Sequence, residues 1–166
     1  MTTLAPEIRR KVEERMDEIV QLAEATISQS KVYGRCCQNN HWTTDSTCPT
    51  CHKETRPVLR RSQLTNLQTF ANATNSAKAL ELFVRYQMGR REGEGWRYSG
   101  GSDQRFGERV ISDFNTLERL AQEIASSQKH EAHLWLIRLY TGYLARWFVA
   151  LGGSEEEREV EKEGVQ

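Results

Sequence analysis

Residues 129–151 read KHEAHLWLIRLYTGYLARWFVAL and make up the most apolar of the predicted helices. Their apolar side chains recur at three- and four-residue steps, the period of an α-helix, and occupy more than one face. Such a helix either lies at the centre of a bundle or also meets a partner. The pair Gly152 and Gly153 predicts its end, because glycine commonly terminates helices.

Four other segments share this period and predict the remaining helices. They cover residues 6–29, 62–71, 76–88 and 110–124. Ser62 is predicted to cap the second of these, either Asn75 or Ser76 the third, and Gly89 to end the third. Few stretches alternate as strands do. The predicted fold class is therefore all-α, a bundle of about five helices over residues 1–151.

Two segments lack any helical period. Residues 89–107 contain six glycines and several charges, which predicts a long surface loop, and such loops are often functional. Residues 155–163 hold six Glu against one Arg and one Lys, a local charge of −4. Residues 152–166 are therefore predicted to form a disordered acidic tail.

All four cysteines lie within residues 36–51, in the pattern Cys37-x3-His41 followed by Cys48-Pro49-x-Cys51. Zinc prefers four soft or borderline ligands in a tetrahedron, and two short turns deliver them in pairs. We therefore predict a structural Zn²⁺ site in an insert of residues 33–56. Cys36 competes with its neighbour for one position. The predicted ligands are Cys37, His41, Cys48 and Cys51.

Ordinary free thiols, a disulfide or a redox pair are the alternatives to metal. The N-terminus is polar and charged, unlike a signal peptide, which predicts a cytoplasmic protein and disfavours disulfides. A redox Cys-x-x-Cys normally lies at a strand-to-helix turn in a βαβ unit, and no such unit is evident. No apolar run approaches the length of a membrane span, so no membrane partner is expected.

Positive charge is concentrated in the middle of the chain. The chain has 23 basic and 23 acidic residues, yet residues 53–109 hold eleven Lys or Arg against six Asp or Glu, a local charge of +5. Such a region is either a solvated helical face or a surface that contacts phosphates. Charge alone leaves both interpretations open.

Arginines and aromatic residues alternate around the end of the third predicted helix. Arg85 and Tyr86 are followed by Arg90 and Arg91, and Trp96 and Tyr98 lie in the predicted loop. Exposed aromatic rings beside guanidinium groups suit single-stranded nucleic acid, which stacks its bases and presents its phosphates. In the alternative, Tyr86 and Trp96 pack into the core and the arginines pair with nearby glutamates.

Known catalytic patterns are missing from the chain. There is no phosphate-binding loop ending in Lys-Ser or Lys-Thr, no Gly-x-Ser-x-Gly and no His-Glu-x-x-His. His130 and His133 could bind a metal, although capping or exposure is the more ordinary role. A metal-dependent enzyme would need a second metal or an open zinc position. We therefore expect a non-catalytic protein.

Three short segments carry a resemblance to a known family. SQLTNL at residues 62–67, FVRYQMGR at residues 83–90 and RLYTGYLA at residues 138–145 resemble the small helical-bundle subunit of type III CRISPR effector complexes. The resemblance covers residues 60–151. It implies a subunit that stacks in several copies beside the guide-RNA backbone, helps to hold the target strand and performs no chemistry.

The resemblance also implies partners and binding residues. The partners are single-stranded RNA or DNA, other subunits of the effector complex and further copies of the chain itself, packed through the last two helices. The implied backbone-contacting residues are Arg60, Arg61, Lys78, Arg85, Arg90 and Arg91. The alternative function is a zinc-containing interaction or regulatory module that binds a partner protein through its aromatic C-terminal helix.

Overall fold

A computed structural model describes residues 3–153. The described part of the chain contains seven α-helices, three short strands and one turn of 3₁₀ helix at Ser126–Gln128. The predicted acidic tail lies outside the described residues beyond Gly153. The elements, in chain order, are α1 (Pro6–Glu14), α2 (Met16–Ser30), β1 (Arg35–Cys36), β2 (Trp42–Thr43), β3 (Arg56–Pro57), α3 (Arg61–Ala73), α4 (Ala77–Gly89), α5 (Glu94–Arg97), α6 (Phe106–Ile124) and α7 (Lys129–Ala150).

Helix α7 is the central helix, as its apolar character predicts. It packs against α2, α3 and α6, and its buried residues lie on several faces. Leu136, Tyr140 and Phe148 are among the largest side chains that are fully buried. Removing apolar surface from water is the main favourable contribution to folding, so α7 organises the bundle. The largely helical architecture agrees with the predicted fold class.

The first predicted helix is two helices, divided at Arg15. The Arg15 guanidinium donates to Glu18 at 2.6 and 2.9 Å and reaches Glu123 of α6 at 3.4 Å. Helix α1 packs against α6, whereas α2 packs mainly against α7. The apolar residues keep their helical spacing on both sides of Arg15. The periodicity therefore predicted a single helix, although the chain changes direction at this residue.

The predicted surface loop at residues 89–107 contains the short helix α5 and reaches the core. Trp96 is fully buried, with its ring centroid 5.2 Å from that of Phe106. Gly95 and Gly107 make this possible: a Cβ on Gly95 would lie 2.4 Å from the Val58 carbonyl oxygen. Of the two interpretations of Trp96, packing into the core is therefore correct, and this ring is not exposed for stacking.

Side-chain hydrogen bonds mark where α3 and α4 begin. The Ser76 hydroxyl accepts from the Ala79 N–H at 3.1 Å and caps α4, which ends at Gly89 as predicted. Helix α3 begins at Arg61, one residue before the predicted cap Ser62. The Gln63 side chain accepts from the Arg60 N–H at 3.0 Å, a bond typical of a helix start.

A buried polar cluster links three helices inside the bundle. The Asp113 carboxylate of α6 accepts hydrogen bonds from the Thr26 hydroxyl of α2 and the Tyr140 hydroxyl of α7. Burial raises the pKa of Asp113 to about 6, although both hydroxyls and the charge of Arg109 act to lower it. Buried carboxylates require such partners, and these bonds fix the register of the three helices.

Candidate metal centre and arginine groove

The predicted insert folds as a small lobe, which we call the metal lobe and define as residues 33–57. Its three antiparallel strands have the order β2-β1-β3, with Cys36 opposite both Trp42 and Arg56. The sheet is an addition to the predicted all-α fold. It places the turn after β1 and the turn between β2 and β3 beside each other, and these turns carry the predicted ligands.

The first turn brings Cys37 and His41 together. The Cys37 N–H donates to the His41 carbonyl at 3.2 Å, and the Asn40 N–H donates to the Cys37 carbonyl at 3.0 Å. Asn40 has a left-handed backbone with φ of 60°, a conformation that asparagine tolerates better than most residues. The reversal turns the His41 ring back towards Cys37.

The second turn is built around Cys48. The Cys48 N–H donates to the Lys53 carbonyl and the His52 N–H donates to the Cys48 carbonyl, each at 2.8 Å. The backbone N–H groups of Cys51 and Thr50 face the Cys48 sulfur and lower its pKa to about 6. Because a thiolate is the form that binds metal, this turn prepares Cys48 as a ligand near neutral pH.

The structure brings the four predicted ligands close together. One ligand atom from each of Cys37, His41, Cys48 and Cys51 lies within 4.8 Å of all the others. The sulfurs of Cys37 and Cys51 are 3.6 Å apart, and the Cys48 sulfur is 3.6 Å from His41 Nδ1. Metal–ligand bonds of about 2.3 Å and about 2.0 Å at tetrahedral angles require separations of about 3.8 and about 3.5 Å. The four side chains therefore fit one tetrahedral metal ion, and no disulfide joins them.

Cys36 lies outside this cluster. It precedes Cys37 on β1, and successive residues of a strand point to opposite faces. Its side chain lines a cavity with Tyr98, and burial raises the pKa of its thiol. Burial and the neighbouring thiol likewise raise the pKa of Tyr98 to about 12. Of the two cysteines that competed in the sequence, Cys37 is the one in the cluster.

Trp42, which the sequence did not single out, attaches the metal lobe to the bundle. Its indole N–H donates to the Lys31 carbonyl at 2.9 Å, and its ring meets Tyr33 edge-on at 5.6 Å. Gly34 lies under the ring, where a Cβ would approach indole atoms to 2.1 Å. The lobe is thus joined to the C-terminal end of α2.

Three of the six predicted phosphate-binding residues converge on one cavity of about 570 Å³, which we call the arginine groove. Arg60 comes from the start of α3, and Arg90 and Arg91 follow α4. Arg56 of β3 also lines it, although the sequence did not mark it as a candidate. Glu92 and Glu94 are the acidic residues of the lining, so the described side chains give the groove a formal charge of +2.

The acidic residues of the groove hold exposed ion pairs. Arg90 pairs with Glu92 at 3.3 Å and Arg56 with Glu94 at 3.2 Å. Exposed pairs of this kind contribute about 0–1 kcal/mol, because water and salt screen them. A polyanion can therefore replace these carboxylates at little cost.

The other predicted phosphate-binding residues lie elsewhere. Lys78 and Arg85 both pair with Glu81, each at 3.0 Å, and these contacts lower the pKa of Glu81. Lys78 lines a separate cavity with His130 and His133. Arg61 is exposed at the first position of α3. The fold therefore divides the predicted set of six into three groove residues, a pair on the outer face of α4, and Arg61 at the start of α3.

Tyr86 is the exposed aromatic residue beside the groove. Its side chain is 63% exposed, and the Arg90 guanidinium lies 5.9 Å from its ring centroid. Arg97 donates to the Met88 and Arg90 carbonyls at 2.7 and 2.6 Å and so fixes the turn that presents Arg90. The rings of Trp96 and Tyr98 are fully and partly buried, respectively.

The two histidines of α7 are engaged in packing. His130 Nε2 contacts the Asn75 carbonyl at 2.9 Å, and His133 Nε2 contacts the Phe114 carbonyl at 2.8 Å. Burial lowers the pKa of His133 and favours its neutral form. His130 thus joins α7 to the turn between α3 and α4, and His133 joins α7 to α6.

Comparisons with protein-family models, with curated proteins and with solved structures found no match. Among residues 3–153, no helix combines the length and the apolar character that a membrane crossing requires.

Proposed function

We propose that the chain is a non-catalytic, zinc-containing subunit that binds single-stranded nucleic acid within a type III CRISPR effector complex. The observation that carries this proposal is the convergence of Arg60, Arg90 and Arg91, with Arg56 of the metal lobe, on one groove. These residues come from separate segments of the chain, so their meeting is a property of the fold.

Zinc is the metal that suits the cluster best. Three thiolates and one imidazole form a soft, tetrahedral set, which zinc prefers over magnesium or calcium. Four protein ligands complete the coordination of zinc and leave no position for substrate. The metal therefore stabilises the lobe and has no catalytic role.

A single strand is the nucleic acid that the groove suits best. Guanidinium groups form bidentate hydrogen bonds with phosphates, and Tyr86 offers an exposed ring on which a base can stack. Arginines without an adjacent recognition helix bind the backbone and discriminate little between sequences. In an RNA-guided complex, base pairing with the guide supplies the specificity.

Assembly with other subunits is supported by the outer face of α4. Leu82 of α4 is 66% exposed and, unlike Tyr86, has no role in strand binding, so its apolar side chain is available to contact a neighbouring subunit. The alternative partner surface, the aromatic helix α7, is largely buried within the bundle, and Trp135 is 38% exposed. We therefore assign subunit packing to α4, and Leu82→Glu should prevent co-assembly with the type III backbone subunits.

Strand binding is tested by fluorescence anisotropy with single-stranded RNA and DNA at two salt concentrations, with metal content measured on the same sample. Three to four phosphate contacts predict that affinity falls about 20- to 50-fold between about 50 and about 200 mM salt. Arg60→Glu with Arg90→Glu should abolish most of the binding. Arg9→Glu with Arg119→Glu makes the same charge change on α1 and α6, outside the groove, and serves as the control. Equal loss in both double variants, or none in either, would refute the groove as the binding site.

A further inference from the structure

A second cavity of about 280 Å³ lies where the metal lobe meets the bundle. Cys36 and Asn40 of the lobe form one side, and Arg97 and Tyr98 at the end of α5 form the other. It shares part of its lining with the arginine groove, so the two cavities are neighbours. The shared residues are Arg56, Pro57, Val58 and Glu94.

The two cavities differ in chemistry. The arginine groove is wide and lined mainly by charged and polar side chains. The second cavity shares Pro57 and Val58 with the groove and adds Cys36, Arg97, the ring of Tyr98 and the amide of Asn40. Its volume of about 280 Å³ is just below the range of about 300–1,000 Å³ for small-molecule sites, so it suits a single planar group and no larger ligand. An aromatic ring, an apolar wall and an amide are the groups that receive an unstacked base.

We propose that this second cavity, the base cavity, receives one unpaired base of the strand whose phosphates lie in the arginine groove. The inference rests on the proposed function and adds to it a base-binding site at the joint between lobe and bundle. The base lies against the Tyr98 ring, and the Asn40 amide faces its polar edge. Phosphates on either side of this base reach Arg56 and Arg60.

The metal lobe is then one wall of the binding site. Asn40 directly precedes the ligand His41, and its left-handed backbone belongs to the metal-binding turn. Arg56 is held by the pairing of β3 with β1. Both wall residues therefore depend on a folded lobe, and metal supports base binding without touching the strand.

Cys36 provides a direct probe of the base cavity. It is the one cysteine of the chain outside the metal cluster, so in the zinc-loaded protein it is the thiol available for alkylation. The experiment measures the rate of N-ethylmaleimide labelling of Cys36 by peptide mass spectrometry, with and without oligo-dT. A matched strand of abasic residues, which has phosphates and no bases, is the control ligand, and anisotropy reports binding of both strands.

We expect oligo-dT, at about ten times its Kd, to slow labelling of Cys36 about tenfold, while the bound abasic strand leaves the rate unchanged. Asn40→Gly should weaken oligo-dT binding and spare the abasic strand, since glycine accepts the backbone of that position. Oligo-dT binding without protection of Cys36, or equal protection by the abasic strand, would overturn the base cavity and leave the groove standing. Failure of both strands to bind would overturn the strand-binding function as well.

Discussion

Replacing Cys48 by Ser should unfold the metal lobe and leave the bundle helical. All seven α-helices lie outside residues 33–57, and so does the main apolar core. Within residues 33–57, the buried apolar side chains are those of Cys37 and Cys48, both metal ligands. The lobe thus has no hydrophobic core that could maintain its structure once a ligand is lost.

The expected loss of lobe stability equals the free energy that metal binding contributes to the folded lobe. With free metal at about 100 times its Kd, binding stabilises the folded lobe by about 2.7 kcal/mol. Loss of the metal should therefore speed amide hydrogen exchange in the lobe by about 100-fold. The reporting amides are those of Cys37, His52 and Thr55, which donate to carbonyls within the lobe. Exchange in α2, α6 and α7 should be unchanged.

The assay is hydrogen exchange with mass spectrometry, together with far-ultraviolet circular dichroism and metal analysis. Cys36→Ser is the matched control, because it makes the same chemical change one residue away from the cluster. It should retain one metal per chain and normal exchange. Loss of the helical signal in Cys48→Ser would show that the metal supports the bundle itself. Unchanged exchange in the lobe would show that the metal does not support the lobe.

Two further predictions concern the bundle. Trp96→Ala should lower the free energy of unfolding by about 3–5 kcal/mol, because the indole is fully buried. Trp135→Ala is the control and should lower it far less, because Trp135 is 38% exposed. Equal losses for the two variants in urea denaturation would contradict the buried position of Trp96. For Asp113, the folded-state pKa of about 6 exceeds the ordinary value of about 3.9, so ionisation destabilises the protein progressively as pH rises through this range. Asp113→Asn, which keeps an acceptor for Tyr140, should exceed the wild-type stability by up to about 3 kcal/mol at pH 7, and this difference should vanish near pH 4; a difference independent of pH would contradict the assignment.

The metal cluster was predictable because its determinants are local. Its four ligands lie within residues 37–51, and the spacing of short turns limits which ligands can meet. The choice between Cys36 and Cys37 was open because it depends on the pleat of β1, and the pairing of this two-residue strand is not evident in the sequence. The central position of α7 was likewise evident from its apolar faces.

The positions of Trp96 and Arg56 depend on contacts between distant segments. Trp96 reaches the core because Gly95 passes close to Val58, and nothing near Trp96 in the sequence signals that contact. Arg56 enters the groove through the pairing of β3 with β1. The separation of Lys78 and Arg85 from the groove was partly predictable, since Glu81 lies three and four residues from them on the same helix.

A metal-bound lobe would suit the proposed polar binding wall better than a small hydrophobic domain would. A segment as short as residues 33–57 cannot bury enough apolar surface to fold alone, so it needs a metal or disulfides. Because a metal bound in the cluster would stabilise the lobe from inside, the surface side chains would not need to form a core. Asn40 and Arg56 can therefore be polar and face the cavities, and Arg60 follows four residues after Arg56, at the start of α3. A metal in the cluster would thus link the folding of the lobe to the placement of Arg56, the groove arginine that the lobe itself carries.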